Sequence, residues 1–202
     1  MSGNVDGIRK IAGGVTAAKG FKAASTAAGI KYRDRKDMAL IYSEAPCKSA
    51  GTFTSNIVKA APVKWDKNQV TGNVPARTVV INAGIANACT GEEGMGYCSQ
   101  TADAAAAVLG IPAESVLVAS TGVIGKQLPM DKIKAGIEAM APLLDGGTDS
   151  GTEASKAIMT TDTKNKEVAV QFELGGVTVT MGGMCKGSGM IHPNMCTMLS
   201  FV

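Results

Sequence analysis

Short apolar runs separated by glycine-, proline- and polar-rich joints dominate the chain. Met38-Ala-Leu-Ile-Tyr42, Thr78-Val-Val-Ile-Asn82 and Ser115-Val-Leu-Val-Ala119 are continuous apolar runs of strand length, the pattern of buried strands. Glu167–Leu174 and Val177–Met181 flank Gly175-Gly176, a two-residue hairpin signal. Turns at Ala45-Pro46 and Ser49–Gly51 precede Thr52–Ser55, which alternates like a strand, and the apolar run Met198–Val202 reads as a last strand. Helical patterning is sparser. An alanine-rich helix runs from a cap at Ser99 or Thr101 to Leu109, stopped by Gly110 with Pro112 beyond. Asp131 opens a second, with Ile133, Ile137, Met140 and Leu144 on one face and Pro142 ending or kinking it. Glu153–Thr160 is a third. Ile57–Val63 fits either a short helix or extended chain, with Pro62 ending any helix, and residues 64–76 read as a surface connection. Residues 1–36 carry scattered Gly and Ala and lead into a charged patch, Lys31–Asp37. Strands and helices interleave irregularly, with no repeat and no linker. That favours an α+β layered fold, one domain over residues 1–202, over a strictly alternating parallel sheet.

Composition narrows the function more than the fold. The 202 residues are 45% hydrophobic and 4% aromatic, so the core is built from Ala, Val, Ile, Leu and the 11 Met. A net charge of +3 without a basic run gives little support to nucleic-acid or charge-driven membrane binding. Five Cys without C-x-x-C spacing, and a single His, argue against a zinc site or a disulfide framework and for reduced thiols in the cytosol. No apolar stretch has the length of a membrane span, and Met1–Gly14 has neither signal- nor transit-peptide character, so the expected location is cytoplasmic. The one histidine, His192, precedes Pro193 and reads as an exposed turn residue rather than half of a catalytic dyad.

The stretch richest in chemistry is Lys186–Leu199. A Gly-x-Gly pair, a His-Pro step and an Asn lead directly into Cys196-Thr197 and the final apolar run. Glycine admits positive φ, proline fixes φ and asparagine tolerates the left-handed region, so the chain is expected to bend tightly and present a Thr hydroxyl at a strand start. Such a Thr is a nucleophile if a base takes its proton. The same letters also fit a plain glycine turn. Three further polar stretches sit at element ends: Ser120-Thr121-Gly122, Thr160-Thr161-Asp162-Thr163 and Lys186-Gly187-Ser188-Gly189. Singly they read as a strand exit, a helix end and a glycine-rich loop, and neither phosphate-binding glycine motif is present.

In order along the chain, these stretches resemble a family. Lys186–Leu199 is similar to the K-G-[SA]-G-M-[IL]-x-P-x-M-x-T-M-L motif of ornithine acetyltransferases, the glutamate/ornithine N-acetyltransferases of arginine biosynthesis. Gly51–Asn56, Asn82–Gly91, Ser120–Gly125 and Ala157–Thr163 agree as well, and the resemblance covers essentially the whole chain. It implies a layered α/β/β/α sandwich, shared with self-cleaving aminopeptidases. It implies autocatalytic cleavage at Cys196–Thr197, after which Thr197 is nucleophile and, through its new α-amine with a pKa of about 7.7–8, its own base. Thr197 would take acetyl from N-acetylornithine, releasing ornithine, and pass it to glutamate. Acetyl-CoA is left open as a second donor, and no cofactor or metal is implied. Thr121 and Gly122 match the oxyanion hole; Thr160 (or its neighbour Thr161) and Lys186 match substrate-binding positions. Two departures stand out. Cys196 replaces the family's usual Ala, and the chain reaches only residues 197–202 of the family's β chain. The expectation is therefore an α-chain half that pairs with a β chain in a heterotetramer of two α and two β chains, inactive and self-associating when alone. The other readings are a non-catalytic half needing a separate β chain, and an aminopeptidase of the same fold, which the acetyltransferase form of Lys186–Leu199 disfavours.

Overall fold

The computed structural model describes residues 7–190 and 198–202. In chain order the elements are β1 (Ile8–Ile11), β2 (Phe21–Thr26), β3 (Met38–Cys47), α1 (Ala61–Thr71), β4 (Ala76–Ile85), α2 (Gly91–Leu109), β5 (Val116–Val123), α3 (Met130–Met140), α4 (Thr148–Ala157), β6 (Lys166–Leu174), β7 (Val177–Lys186) and β8 (Leu199–Phe201). They form two four-stranded sheets. The inner sheet has the order β2-β3-β4-β5, antiparallel except for the parallel β4/β5 pair. The outer sheet has the order β1-β6-β7-β8 and is antiparallel throughout.

The apolar runs are continuous because the inner sheet is buried on both faces, and successive strand residues point to opposite faces. Met38, Leu40, Val80 and Val118 turn toward α2 and α3, meeting Cys98, Ala102, Ile133 and Ile137. Ala39, Ile41, Ile81 and Ala119 turn the other way, onto Met184 of β7 and Ala154 and Ala157 of α4, with Leu199 and Phe201 of β8 at the margin. The fold is thus a layered α+β arrangement: helices, inner sheet, outer sheet. Among the described residues nothing covers the far face of the outer sheet, where Val168, Leu174 and Val177 are 50%, 66% and 64% exposed.

Several expected boundaries move. Residues 64–76 are not a surface connection: most of them form α1, and Pro62 lies in its first turn, where a missing N–H costs nothing. The helix is recognisable only through its partners. Trp65 Nε1 donates to the Val116 carbonyl at 3.0 Å, and the Val118 N–H donates to Asp66 Oδ1 at 2.9 Å, so α1 side chains cap the free edge of β5. Helix α2 begins at Gly91, well before Ser99, with Thr90 at its cap and Glu92 and Glu93 in the first turn. Its glycines conceal that start. Gly94 packs so closely that a Cβ would lie 2.2 Å from Thr90 Oγ1.

Ala45-Pro46 is no turn; β3 continues through it with a register shift between Tyr42 and Cys47. Arg77 satisfies the irregularity by donating from Nε to the Ser43 carbonyl and from Nη2 to the Glu44 carbonyl. Thr52–Ser55 forms no ladder, having no apolar face to bury. Strands β1 and β2 occupy the stretch for which no element was expected.

Candidate active site

The parallel pair β4/β5 builds one wall. Thr121 lies opposite Ala83 and Gly122 opposite Gly84. Thr121 is fully buried. Gly122 has φ 136°, and a Cβ there would sit 2.2 Å from the Gly84 carbonyl carbon, so the two backbones approach too closely for a side chain. A second wall comes from the exit of α4. Arg35 fixes it by donating from Nη2 to the Met159 carbonyl at 2.6 Å, a cation at a helix C-terminus, and Thr160 follows. The third contribution is Lys186, the last residue of β7, 4% exposed.

These three residues meet at one ammonium group. Lys186 Nζ donates to Thr160 Oγ1 at 2.8 Å and to Thr121 Oγ1 at 3.2 Å. A lysine ammonium has donors and no acceptor, so both hydroxyl oxygens must be accepting from it. Each Thr is left with its own O–H free to donate elsewhere. The sequence-predicted Thr121, Gly122, Thr160 and Lys186 are therefore brought together. Thr197, Cys196 and His192 lie outside the described residues. The chain re-enters the description beside the site, since Leu199 pairs with Lys186. The start of the expected bend is visible, with Gly187 and Ser188 both at positive φ, 129° and 58°.

Two charged residues that sequence reasoning did not assign complete the cluster. Asp162 has a fully buried side chain; its Oδ1 accepts from Lys166 Nζ at 2.6 Å and from the Gly187 N–H at 3.0 Å. Its Oδ2 accepts from the Thr160 N–H at 3.4 Å and lies 4.0 Å from Lys186 Nζ. Burial pushes the Asp162 carboxyl up, but the bonds from Lys166, Gly187 and Thr160 outweigh it and hold the group below its usual value. Burial pushes the Lys186 ammonium below the usual lysine range, against the pull of Asp162 and with the push of Lys166. The one available signal for Asp162 was its place in Thr160–Thr163; Lys166 had none.

Residues 22–202 match the ArgJ family. The chain is 54% identical over 195 residues to the arginine biosynthesis bifunctional protein ArgJ of Symbiobacterium thermophilum, covering 95% of this chain and 48% of that protein. It is 49% identical over 193 residues to the protein of the same description from Gloeobacter violaceus, covering 95% and 47%. The chain thus spans about half the length of the curated relatives it matches. Among solved structures, it superposes on the arginine biosynthesis bifunctional protein ArgJ of Bacillus halodurans with TM-score 0.87 and 41% identity, covering 95% of this chain and 98% of that one. It superposes on the ornithine acetyltransferase of Mycobacterium tuberculosis complexed with ornithine with TM-score 0.84 and 45% identity, covering 93% and 98%.

Proposed function

The chain belongs to the ArgJ family, and from that membership we propose that it is the α-chain portion of an enzyme that transfers acetyl from N-acetylornithine to glutamate. The observation that carries this reading is the Lys186 ammonium bonded to Thr121 and Thr160. It fixes a buried hydroxyl on Thr121 and a half-buried one on Thr160 as acceptors on one side and leaves them donors on the other, which suits a site that must stabilise a developing oxyanion.

The mechanism needs no cofactor. Thr197 Oγ attacks the Cys196 carbonyl and the peptide nitrogen leaves as the Thr197 α-amine, giving an ester; water then hydrolyses that ester, freeing the Thr197 hydroxyl and a carboxylate on Cys196. That amine then takes the Thr197 hydroxyl proton as Oγ attacks the acetyl carbonyl of N-acetylornithine. The oxyanion is met by the Thr121 O–H and the Gly122 N–H; as it collapses, the protonated α-amine gives its proton to the departing ornithine nitrogen, leaving acetyl-Thr197 and free ornithine. Glutamate's amine accepts the acetyl group by the reverse path. Acetyl-CoA would enter at the same acetyl-Thr197 stage as a second donor. Lys186 suits a substrate carboxylate, and Thr160 lies within its reach. Leu199, two residues beyond Thr197 in the sequence, pairs with Lys186, a register that supports bringing the nucleophile to these groups. The uncovered apolar face of the outer sheet supports pairing with a β chain in an α2β2 assembly. Free thiols at Cys47, Cys89, Cys98 and Cys185 support a reducing, cytoplasmic setting.

The test uses the full-length gene product. Mass spectrometry is expected to find it cut before Thr197 and to find Thr197→Ala intact. Thr121→Ala is expected to lower kcat for acetyl transfer roughly 10²–10³-fold, the usual effect of losing one oxyanion donor. A wild type that stays uncut, or that hydrolyses peptides without transferring acetyl, overturns the reading.

A further inference from the structure

We propose that Asp162 is a positioning residue of this site: the buried counter-ion that holds the Lys186 ammonium against Thr121 and Thr160, and the tether for the loop that follows β7. The geometry stands by itself; the activity part of the test rests on the acetyl-transfer reading.

The two carboxylate oxygens divide the work. Oδ1 accepts the Gly187 N–H, the first backbone donor after Lys186, and so pins the loop at its origin. Oδ2 faces Lys186 Nζ and takes the Thr160 N–H, linking Lys186 to one of the two threonines that share its ammonium. The loop then lies on the backbone of residues 161–162 so closely that a Cβ at Gly189 would be 2.7 Å from Asp162 N. One side chain thus sets the relative position of Thr160, Lys186 and residues 187–189.

A rival reading gives Asp162 to Lys166 alone, since that contact is the shorter. Solvent decides between them. The Lys166 side chain is 40% exposed and its charge is hydrated and screened, whereas the Lys186 side chain is 5% exposed and Asp162 fully buried. Among the described residues, Asp162 and Lys166 are the charged groups acting on Lys186, with opposite signs: Asp162 favours its charged form and Lys166 disfavours it, as burial does. Removing Asp162 strands a buried cation. Removing Lys166 relieves one.

The experiment compares wild type, Asp162→Asn and Lys166→Met of the full-length gene product. Acetyl transfer from N-acetylornithine to glutamate is measured from about pH 6 to about pH 10. In Asp162→Asn the alkaline limb of kcat/KM is expected to move about one unit or more toward acid, so that the loss relative to wild type grows to about tenfold or more at pH values above the wild-type limb. In Lys166→Met that limb is expected to stay or to move the other way. A limb unmoved in Asp162→Asn, or moved alike in both variants, overturns the proposal. A thermal-unfolding cycle with Lys186→Met needs no turnover: Asp162→Asn should lower Tm far more in the wild-type background than in Lys186→Met, and additive losses overturn the pairing. If Asp162→Asn alone fails to fold, recovery of a folded protein in the double variant supports the proposal and failure to recover overturns it. A wild type inactive in acetyl transfer rejects the assigned reaction, and the unfolding cycle still decides the role of Asp162.

Discussion

Asp66 is half-buried beneath β5, and its only polar partner among the described residues is the Val118 N–H. Burial raises its carboxyl from 3.8 to about 7, with the Val118 bond pulling modestly the other way. The folded protein therefore holds a proton that the unfolded chain has released between these two values. Stability associated with Asp66 is present below the lower value and is lost as pH rises toward about 7, at up to about 1.4 kcal/mol per pH unit. Asp66→Asn keeps an oxygen for Val118 and removes the titration. The variant is expected to gain Tm relative to wild type as pH rises from about 5 to about 8, and to show little gain near pH 4. A Tm difference independent of pH would show that Asp66 does not titrate in this window. Asp66 also illustrates what single letters conceal. Its burial depends on β5, 52 residues away, just as the role of Asp162 depends on Gly187, 25 residues on. Thr121, Thr160 and Lys186 were candidates in the sequence because they stand inside long motifs, and they meet in space. The two charged residues beside them, Asp162 and Lys166, are read only from through-space contacts.

At the scale of elements, the β4/β5 pair carries the site through an approach that only glycine permits. Gly122 and Gly125 both have positive φ, 136° and 76°. They differ in surroundings: a Cβ at Gly122 meets the Gly84 backbone at 2.2 Å, while one at Gly125 meets nothing within 4 Å. Gly122→Ala must push the strands apart and is expected to cost about 3 kcal/mol or more, with loss of cleavage and transfer. Gly125→Ala should cost only about 1 kcal/mol, the price of its backbone conformation. Equal Tm losses would mean that φ, and not strand approach, governs both. The sequence made the centres of β3, β4, β5, α3 and the β6/β7 hairpin plain because apolar runs and glycine turns are local signals. It concealed α1, whose place rests on Trp65 and Asp66 reaching the β5 edge. It concealed the first turns of α2, where glycines serve packing, and β1 and β2, whose pairing partners lie far along the chain.

On the whole molecule, the two faces of the outer sheet are chemically mismatched to a half-length chain. Residues 168, 170, 172 and 174 of β6 pair with 183, 181, 179 and 177 of β7, so Val168, Val170, Phe172 and Leu174 share a face with Val177, Val179 and Met181. Alternate positions such as Ala169 and Met184 point into the core between the sheets. The outward side is thus more apolar than the inward side, which also carries Gln171 and Thr180, yet Val168, Leu174, Val177 and Met181 are 46–66% exposed. An apolar sheet face of this kind marks an interaction surface, and the fold's expected fourth layer is a set of helices on this side. The curated relatives are about twice as long, and chain from such a second half is the expected cover on the proposed α-chain reading. Val168→Lys with Val177→Lys should therefore act oppositely in two settings. In residues 1–202 expressed alone, the pair is expected to reduce self-association, read by light scattering. In the full-length gene product it is expected to destabilise the folded protein by about 3 kcal/mol or more, since both charges would be buried without partners. Full-length protein that tolerates both lysines with unchanged Tm would show that this face stays open to solvent and that the second half packs elsewhere.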